Sequence, residues 1–310
     1  VLIPTEIKSA AGVARAHAVV VSWEGAALLP ACLSTLRDFD AVWVVDNGST
    51  DGTLALLAKG FPWVRVIANP VNLGYGRANN LALQRALEDG AELIALINND
   101  VELEPGWLAA MRDAAAALPP AGLFAGTLLF RAEERVNSTG LEIDGLGRAR
   151  DRDFGVERDL LRRADGPVQG VSGGAALLRA SMLREIGLFD PAYFAYYEDV
   201  ELSLRAARAG YASHYVSAAL ARHRFGATFG PGSPQQRYLL GRGHLRTLAL
   251  HQPPWKAAAL VPLTALYRAA VKAPLELLRA RPRLAWAELR AAASGSLSAA
   301  QAAAQRFYRR

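Results

Sequence analysis

Cysteine is nearly absent from the 310 residues: Cys32 stands alone. No internal disulfide framework can therefore hold the chain, and a reducing compartment is expected. Also missing is an unbroken apolar run of about 20 residues, the length a membrane-crossing helix needs. The best stretch, 257–278, is interrupted by Arg268, Lys272 and Glu276 and carries Pro262 and Pro274. It reads as a helix lying on a membrane surface or on a partner. Residues 1–16 show no apolar core followed by a cleavage site, so no secretory leader is expected there. Acidic residues become scarce after residue 220, where much of the surplus of 35 Lys+Arg over 29 Asp+Glu lies. A basic tail suits phospholipid headgroups or anionic lipid-linked or nucleotide ligands. It lacks the interleaved aromatics of a base-stacking platform, so nucleic acid is not the expected partner.

What is present is apolar: 52% of the residues are hydrophobic, enough for the core of one large domain and an extension. Strand patterns at 17–22, 41–45, 64–68 and 92–97 alternate with helix patterns at 26–36, 54–59, 77–88 and 105–117. Pro105 occupies the favoured first turn of the last of these, and Ser49, Thr50 or Asp51 can cap the helix at 54. Such repeated units predict a mainly parallel sheet covered by helices. Residues 131–167 are rich in charge and glycine and read as irregular and mobile. Order returns with an apolar run at 171–179, a helix at 198–209 and a strand at 211–216. Beyond Pro231 the Ala-, Leu- and Arg-rich sequence predicts two or three helices.

In open sheets of this type ligands bind beyond the carboxyl ends of the strands. Three polar clusters fall there: Ser22-Trp23-Glu24, Asp46-Asn47 and Asn98-Asn99-Asp100. A dinucleotide site, with Asp46 on a ribose, would need a glycine fingerprint after the first strand. Here that strand is followed by Trp23, Glu24 and a lone Gly25, and the later Gly74-Tyr75-Gly76 has Asn79 where the third glycine belongs. An NAD-dependent oxidoreductase is therefore the weaker alternative.

The stretch Asp46-Asn47-Gly48-Ser49-Thr50-Asp51-Gly52-Thr53 resembles the DNGSxDGT segment of family 2 glycosyltransferases. Residues 72–80, NLGYGRANN, are similar to the family's N-x-G-[FY]-[GA]-x-[AG]-x-N loop. Asn98-Asn99-Asp100 resembles its DxD equivalent in the rhamnosyltransferase-like branch, and Gly187 to Asp190 with Tyr196 to Arg205 resembles that branch's GxFDE…YxEDVDLxxR signature. The likeness spans roughly residues 18–223 in the right order and spacing.

The resemblance implies an α/β fold of the GT-A type, a Rossmann-like nucleotide-sugar-binding sheet, with a C-terminal helical extension. Its division would be a tail at 1–16, a catalytic domain at 17–230 and the extension at 231–310. It implies inverting transfer of a sugar, rhamnose first among candidates, from a dTDP- or UDP-sugar to a glycan or lipid-linked glycan. Location would be cytoplasmic and peripheral on the inner face of the cell membrane.

Carried over residue by residue, Asp100 would hold Mg2+ or Mn2+ on the donor diphosphate with His223 as a further ligand. Asn98 and Asn99 would lie against the donor, Asn98 lending a carbonyl or a water. Asp46 would bind the base, flanked by Ser22 and Glu24, although relatives often carry Asn where Glu24 stands. Arg77 would reach the diphosphate; as a residue it could equally be a solvated helix side chain. Gly173 and Gly174 would admit backbone close to the sugar or acceptor. Asp199 would be the general base, with Glu198 raising its pKa by like charge or orienting the loop. Taken alone, these acids also suit a helix N-terminus, with Glu201 pairing to Arg205. The chain departs from the family where Arg242-Gly243-His244 follows Tyr238, in place of the usual Tyr-x-x-Arg-Asn. A catalytically silent sugar-nucleotide-binding protein is the other alternative; it would have lost Asp100 or Asp199, and both are present.

Overall fold

A computed structural model describes residues 12–226 and 230–308; residues 1–11 of the expected tail and 227–229 of the expected domain lie outside it. Four strands, β1 (Ala16–Ser22), β2 (Ala41–Asn47), β3 (Arg65–Asn69) and β4 (Leu93–Asn98), run parallel in the order β3-β2-β1-β4. Ala16, Ala18 and Val20 of β1 enter one hydrophobic core and Val19 enters the other. In β4, Leu93, Ala95 and Ile97 face the first core while Ile94 and Leu96 face the second. Period-two alternation between two apolar layers explains why these strands read as continuous apolar runs.

Helices α1 (Leu29–Ser34), α2 (Thr53–Gly60) and α3 (Tyr75–Glu88) supply the crossovers. Ala78, Ala82, Leu83 and Ala86 of α3 recur at helical spacing and are buried on the second core. Gly52, not a side chain, occupies the position before α2, while Asp51 Oδ1 accepts the Thr53 N–H at 3.1 Å one step later.

After β5 (Val101–Leu103) and α4 (Trp107–Ala117) comes β6 (Ala121–Phe130), a buried strand that the sequence reading did not mark. The stretch expected to be irregular contains β7 (Val136–Ser138), β8 (Leu141–Ile143), β9 (Ala149–Asp151) and β10 (Gly166–Val168), with β8 and β9 paired as an antiparallel ribbon. Then follow β11 (Ala175–Arg179), α5 (Ala180–Ile186), α6 (Glu198–Arg208) and β12 (Ala212–His223). Strand β11 sits antiparallel between β4 and β6, and β12 lies parallel to β6. This brings the carboxyl ends of β1, β4 and β12 to the same rim.

The C-terminal layer consists of α7 (Pro234–His251), α8 (Pro254–Tyr267), α9 (Ala273–Leu278) and α10 (Pro282–Tyr308). A π-helical stretch, Arg268–Lys272, joins α8 to α9, so one helical path runs from Pro254 to Leu278. Helix α10 turns back along α7, where a Cβ at Gly241 would fall 2.6 Å from Ala291 Cβ. Buried charges pin this layer. Arg246 donates to Asp190 Oδ2 at 2.7 and 3.0 Å and to the Ser298 carbonyl at 3.1 Å. Glu288, with its side chain fully buried, takes Arg268 at 2.6 Å and Arg237 at 3.2 Å.

Candidate active site

A cavity of about 300 Å³ opens beyond the carboxyl ends of β1 and β4. Asn98, Asn99 and Asp100 form one wall; Tyr196 to Val200, at the start of α6, form the facing one. Gln236 and Leu240 of α7 contribute from the C-terminal layer, and Trp23 lines the cavity while Trp107 is buried in the core.

Strand β12 ends at His223, which pairs with Val101 of β5 and so lies beside Asp100, with Nε2 3.2 Å from Asp100 Oδ1. On its other side the imidazole Nδ1 lies 2.8 Å from Asn137 Oδ1. A neutral ring that gives its Nδ1 proton to Asn137 turns its Nε2 lone pair toward the carboxylate. Two electron-pair donors facing each other are the arrangement a cation between them requires. Asn98 Oδ1, also lining the cavity, is buried and without a hydrogen-bond partner among the described residues. These groups fit a divalent ion in chemistry, although no cluster of three His, Cys, Asp or Glu residues is present among the described residues. Asn99 has another duty: its Nδ2 donates to Ser22 Oγ at 3.1 Å, tying the end of β4 to the end of β1.

On the facing wall, Asp199 accepts the Gly173 N–H at Oδ2 (3.0 Å) and the Val200 N–H at Oδ1 (2.8 Å). Gly173 is itself held by Tyr75, whose hydroxyl donates to the Gly173 carbonyl at 2.7 Å. Its backbone thus orients the carboxylate; Gly174 lines the cavity beside it. Burial raises the Asp199 carboxyl above its ordinary range, against the opposing pull of those backbone N–H groups. Glu198 is raised too, first by burial and then by the charge of Asp199, and its Oε2 has no partner among the described residues.

The loop that presents this pair is strained. Tyr196 and Tyr197 both adopt left-handed backbone, with φ of 65° and 72°, and neither is glycine. Packing holds them there: a Cβ at Gly243 of α7 would fall 2.8 Å from Tyr197 Cβ and 3.0 Å from the Tyr196 carbonyl. Glycine at 243, the departure from the family pattern, lets α7 press on the turn. Its neighbour Arg242 donates to the Ala192 carbonyl at 2.7 Å.

The nucleotide-side residues divide. Asp46 is buried and leaves Oδ1 unpartnered among the described residues, with Oδ2 accepting the Ser49 N–H at 3.4 Å. Ser22 is buried beneath Asn99. Glu24, at φ 50°, accepts the Thr50 N–H at 2.9 Å and serves to bind the two loops together. Arg77 is not brought to the cavity: it is exposed and its Nε donates to the Pro191 carbonyl at 2.8 Å. Its place early in α3 points it at the 188–191 turn, which the linear motif could not show.

Asp151 is the residue the sequence reading missed. The β8–β9 ribbon carries it to the cavity wall, where burial pushes its carboxyl up to about 6, Ser138 pulls it down and Asp199 adds to the rise. The only signal was the small-then-charged alternation of Ala149, Arg150 and Asp151, hidden in a highly charged run.

With this geometry in hand, similarity to known proteins is informative. A profile described as Glycosyl transferase family 2 matches residues 18–187, and one described as Glycosyl transferase family group 2 matches residues 149–287. The N-acetylglucosaminyl-diphospho-decaprenol L-rhamnosyltransferase of Mycobacterium tuberculosis is 31% identical over 203 residues, 59% of this chain and 66% of that protein. The matched region is thus just short of two thirds of the relative's length. Among solved structures, GalNAc-T7 with UDP, GalNAc and Mn2+ superposes with a TM-score of 0.63 at 14% identity, over 83% of this chain and 51% of that one. The mannosyltransferase PcManGT from Pyrobaculum calidifontis, with GDP-Man and Mn2+, gives 0.55 at 18% identity, over 97% and 89%. S. aureus TarS 1-349 with UDP-GlcNAc gives 0.54 at 17% identity, over 96% and 92%. These likenesses establish the GT-A fold.

Proposed function

The chain belongs to glycosyltransferase family 2, and from that premise we propose a metal-dependent, inverting transferase that moves a sugar from a nucleoside-diphosphate donor to a glycan on a lipid carrier. One observation carries this: Asp199, fixed by two backbone N–H groups, lines the same cavity as the Asp100–His223 pair. Donor diphosphate belongs beside Asp100, His223 and Asn98, and the base beside Asp46 with its unpartnered oxygen. Mg2+ or Mn2+ held by Asp100 and His223 would offset the charge gained by the leaving diphosphate.

Asp199 takes the proton of the acceptor hydroxyl as its oxygen bonds to the anomeric carbon. The bond from that carbon to the phosphate oxygen breaks on the opposite face, the diphosphate leaves with the electron pair, and configuration inverts. Glu198, raised by burial and by the charge of Asp199, holds its own proton and leaves the negative charge of the pair on Asp199. We propose that Asp151, which lines the same cavity and feels the charge of Asp199, orients the incoming hydroxyl.

The relative's own name points to an L-rhamnosyl group and a diphospho-prenol acceptor, which supports a dTDP- or UDP-sugar donor, rhamnose foremost, at the inner face of the membrane. Among the described residues no helix is long and apolar enough to cross a membrane, which fits peripheral attachment. We further propose the functional division as a catalytic unit over 17–230 and an accessory helical layer over 231–310.

Thermal shift against nucleoside diphosphates and their sugars, with and without Mn2+, tests the donor site. Metal-dependent stabilisation by one nucleotide family that disappears in Asp100→Ala is the expected result. A panel with no response in either condition would overturn the assignment.

A further inference from the structure

From Ala221 to Arg310 the chain carries 15 Lys and Arg but only two acids, Glu276 and Glu288. Both acids are buried and turned inward onto cations: Glu276 toward Arg237 and Arg279, Glu288 toward Arg268 and Arg237. The outer surface of α8, α9 and α10 is therefore without an exposed carboxylate among the described residues.

That same surface is apolar to an extent unusual for a water-facing layer. Trp255 is 75% exposed, Leu278 84% and Trp286 62%. Along the path from α8 to α9, Leu263, Tyr267, Val271, Leu275 and Leu278 recur every three or four residues and all are exposed. Along α10, Trp286, Leu289 and Leu297, spaced by three and by eight residues, are exposed as well. A periodic exposed stripe on each of two adjoining helices is a face, not scattered residues. Arg279, Arg281 and Arg283 sit at the turn where the stripes meet.

We propose that this face is the docking surface for an anionic lipid bilayer, with the indoles and leucines in the acyl–headgroup boundary and the arginines on phosphate. Charge selects this occupant. A second copy of the chain docked symmetrically would bring cations against cations with no acid to answer them. A bilayer bearing negative headgroups meets the cations and the apolar stripe together, and the helices lie on it without crossing. The cavity borders this layer through Gln236 and Leu240 of α7. Docking would hold the site close to the lipid that carries an acceptor; that consequence rests on the proposed reaction, whereas the docking itself does not.

Flotation of the full chain with vesicles of phosphatidylcholine alone, or with about a third phosphatidylglycerol, is the test. Binding to the anionic vesicles, weakened by salt, is expected. Arg279→Gln with Arg281→Gln and Arg283→Gln should weaken it about a hundredfold, at about fivefold per cation. Leu278→Ser with Trp286→Ser should weaken it by at least about tenfold. Leu278→Ser with Trp286→Ser should keep the wild-type melting temperature, and both variants should keep their transfer to a short soluble acceptor. No vesicle binding, binding indifferent to both variants, or a dimer in sedimentation that Leu278→Ser with Trp286→Ser dissociates would each overturn the proposal. Loss of soluble transfer in wild type, with vesicle binding intact, would instead strike the proposed reaction.

Discussion

Glu288 offers a quantitative check on how the helical layer is held. Its carboxylate is fully buried and answers Arg268 at 2.6 Å, Arg237 at 3.2 Å and Lys272 at 4.0 Å. Glu288→Ala leaves the buried Arg268 guanidinium beside two further cations. Removing one partner of a buried pair typically costs about 3–5 kcal/mol, a large part of the roughly 5–15 kcal/mol that separates folded from unfolded chains. At about 2–4 °C per kcal/mol for a chain of this size, the melting temperature should fall by roughly 10 °C. Exchanging both groups, Arg268→Met with Glu288→Leu, removes both desolvation penalties and should lie within about 2 kcal/mol of wild type. Circular dichroism melts, with urea titration for the free energies, provide the measurement. A single variant within about 1 kcal/mol of wild type, or a double variant as damaged as the single, would refute the assigned role of the pair.

Asp199→Asn should lower transfer by at least about a hundredfold while leaving donor-induced thermal stabilisation intact; loss of both together would mean a structural role instead. Because the Asp151 carboxyl stands near pH 6, the wild-type rate should change slope there, and Asp151→Asn should remove that slope; superimposable profiles would disprove its part in the reaction. Burial lowers both His17 and His244 to about 4, so the folded state keeps them neutral while the unfolded chain takes up protons below about 6.5. Stability is therefore lost as pH falls from about 6.5 toward 4, by about 3 kcal/mol for each histidine. Urea titration of His244→Gln at pH 7.5 and 4.5 should show a smaller drop than wild type by about that amount, and an equal drop would contradict the assignment.

The parallel half of the sheet was legible because β1, β2 and β4 are buried on both faces and each ends in a polar cluster, with β3 as the exposed edge. Strand boundaries at 41, 65 and 93 lie within a residue of those read from the apolar runs. Strand β6 was missed for a local reason: Gly122 and Gly126 look like breaks in a short sequence. In the fold, a Cβ at Gly126 would collide with the Ala219 carbonyl, so glycine marks a close approach of two strands. The ribbon that carries Asp151 was hidden because its pairing is non-local to any apolar period: Leu141 bridges to Gly170 and Thr139 receives Arg152. Within the site, Asp100, His223, Glu198 and Asp199 do meet in one cavity. Side-chain direction was beyond the linear pattern, which is why Arg77 turned to Pro191 and Glu24 to Thr50.

The tyrosine pair ahead of Glu198 has a consequence for how the molecule ages under heat. Two non-glycine residues in left-handed backbone store about 1–3 kcal/mol each, and that strain is released as soon as Gly243 moves away from Tyr197. Rearrangement of this turn is thus favoured by every loosening of α7, whereas the parallel sheet has no such spring within it. Inactivation should run ahead of melting: catalysis fades at temperatures where the strands are still fully paired, and cooling restores it.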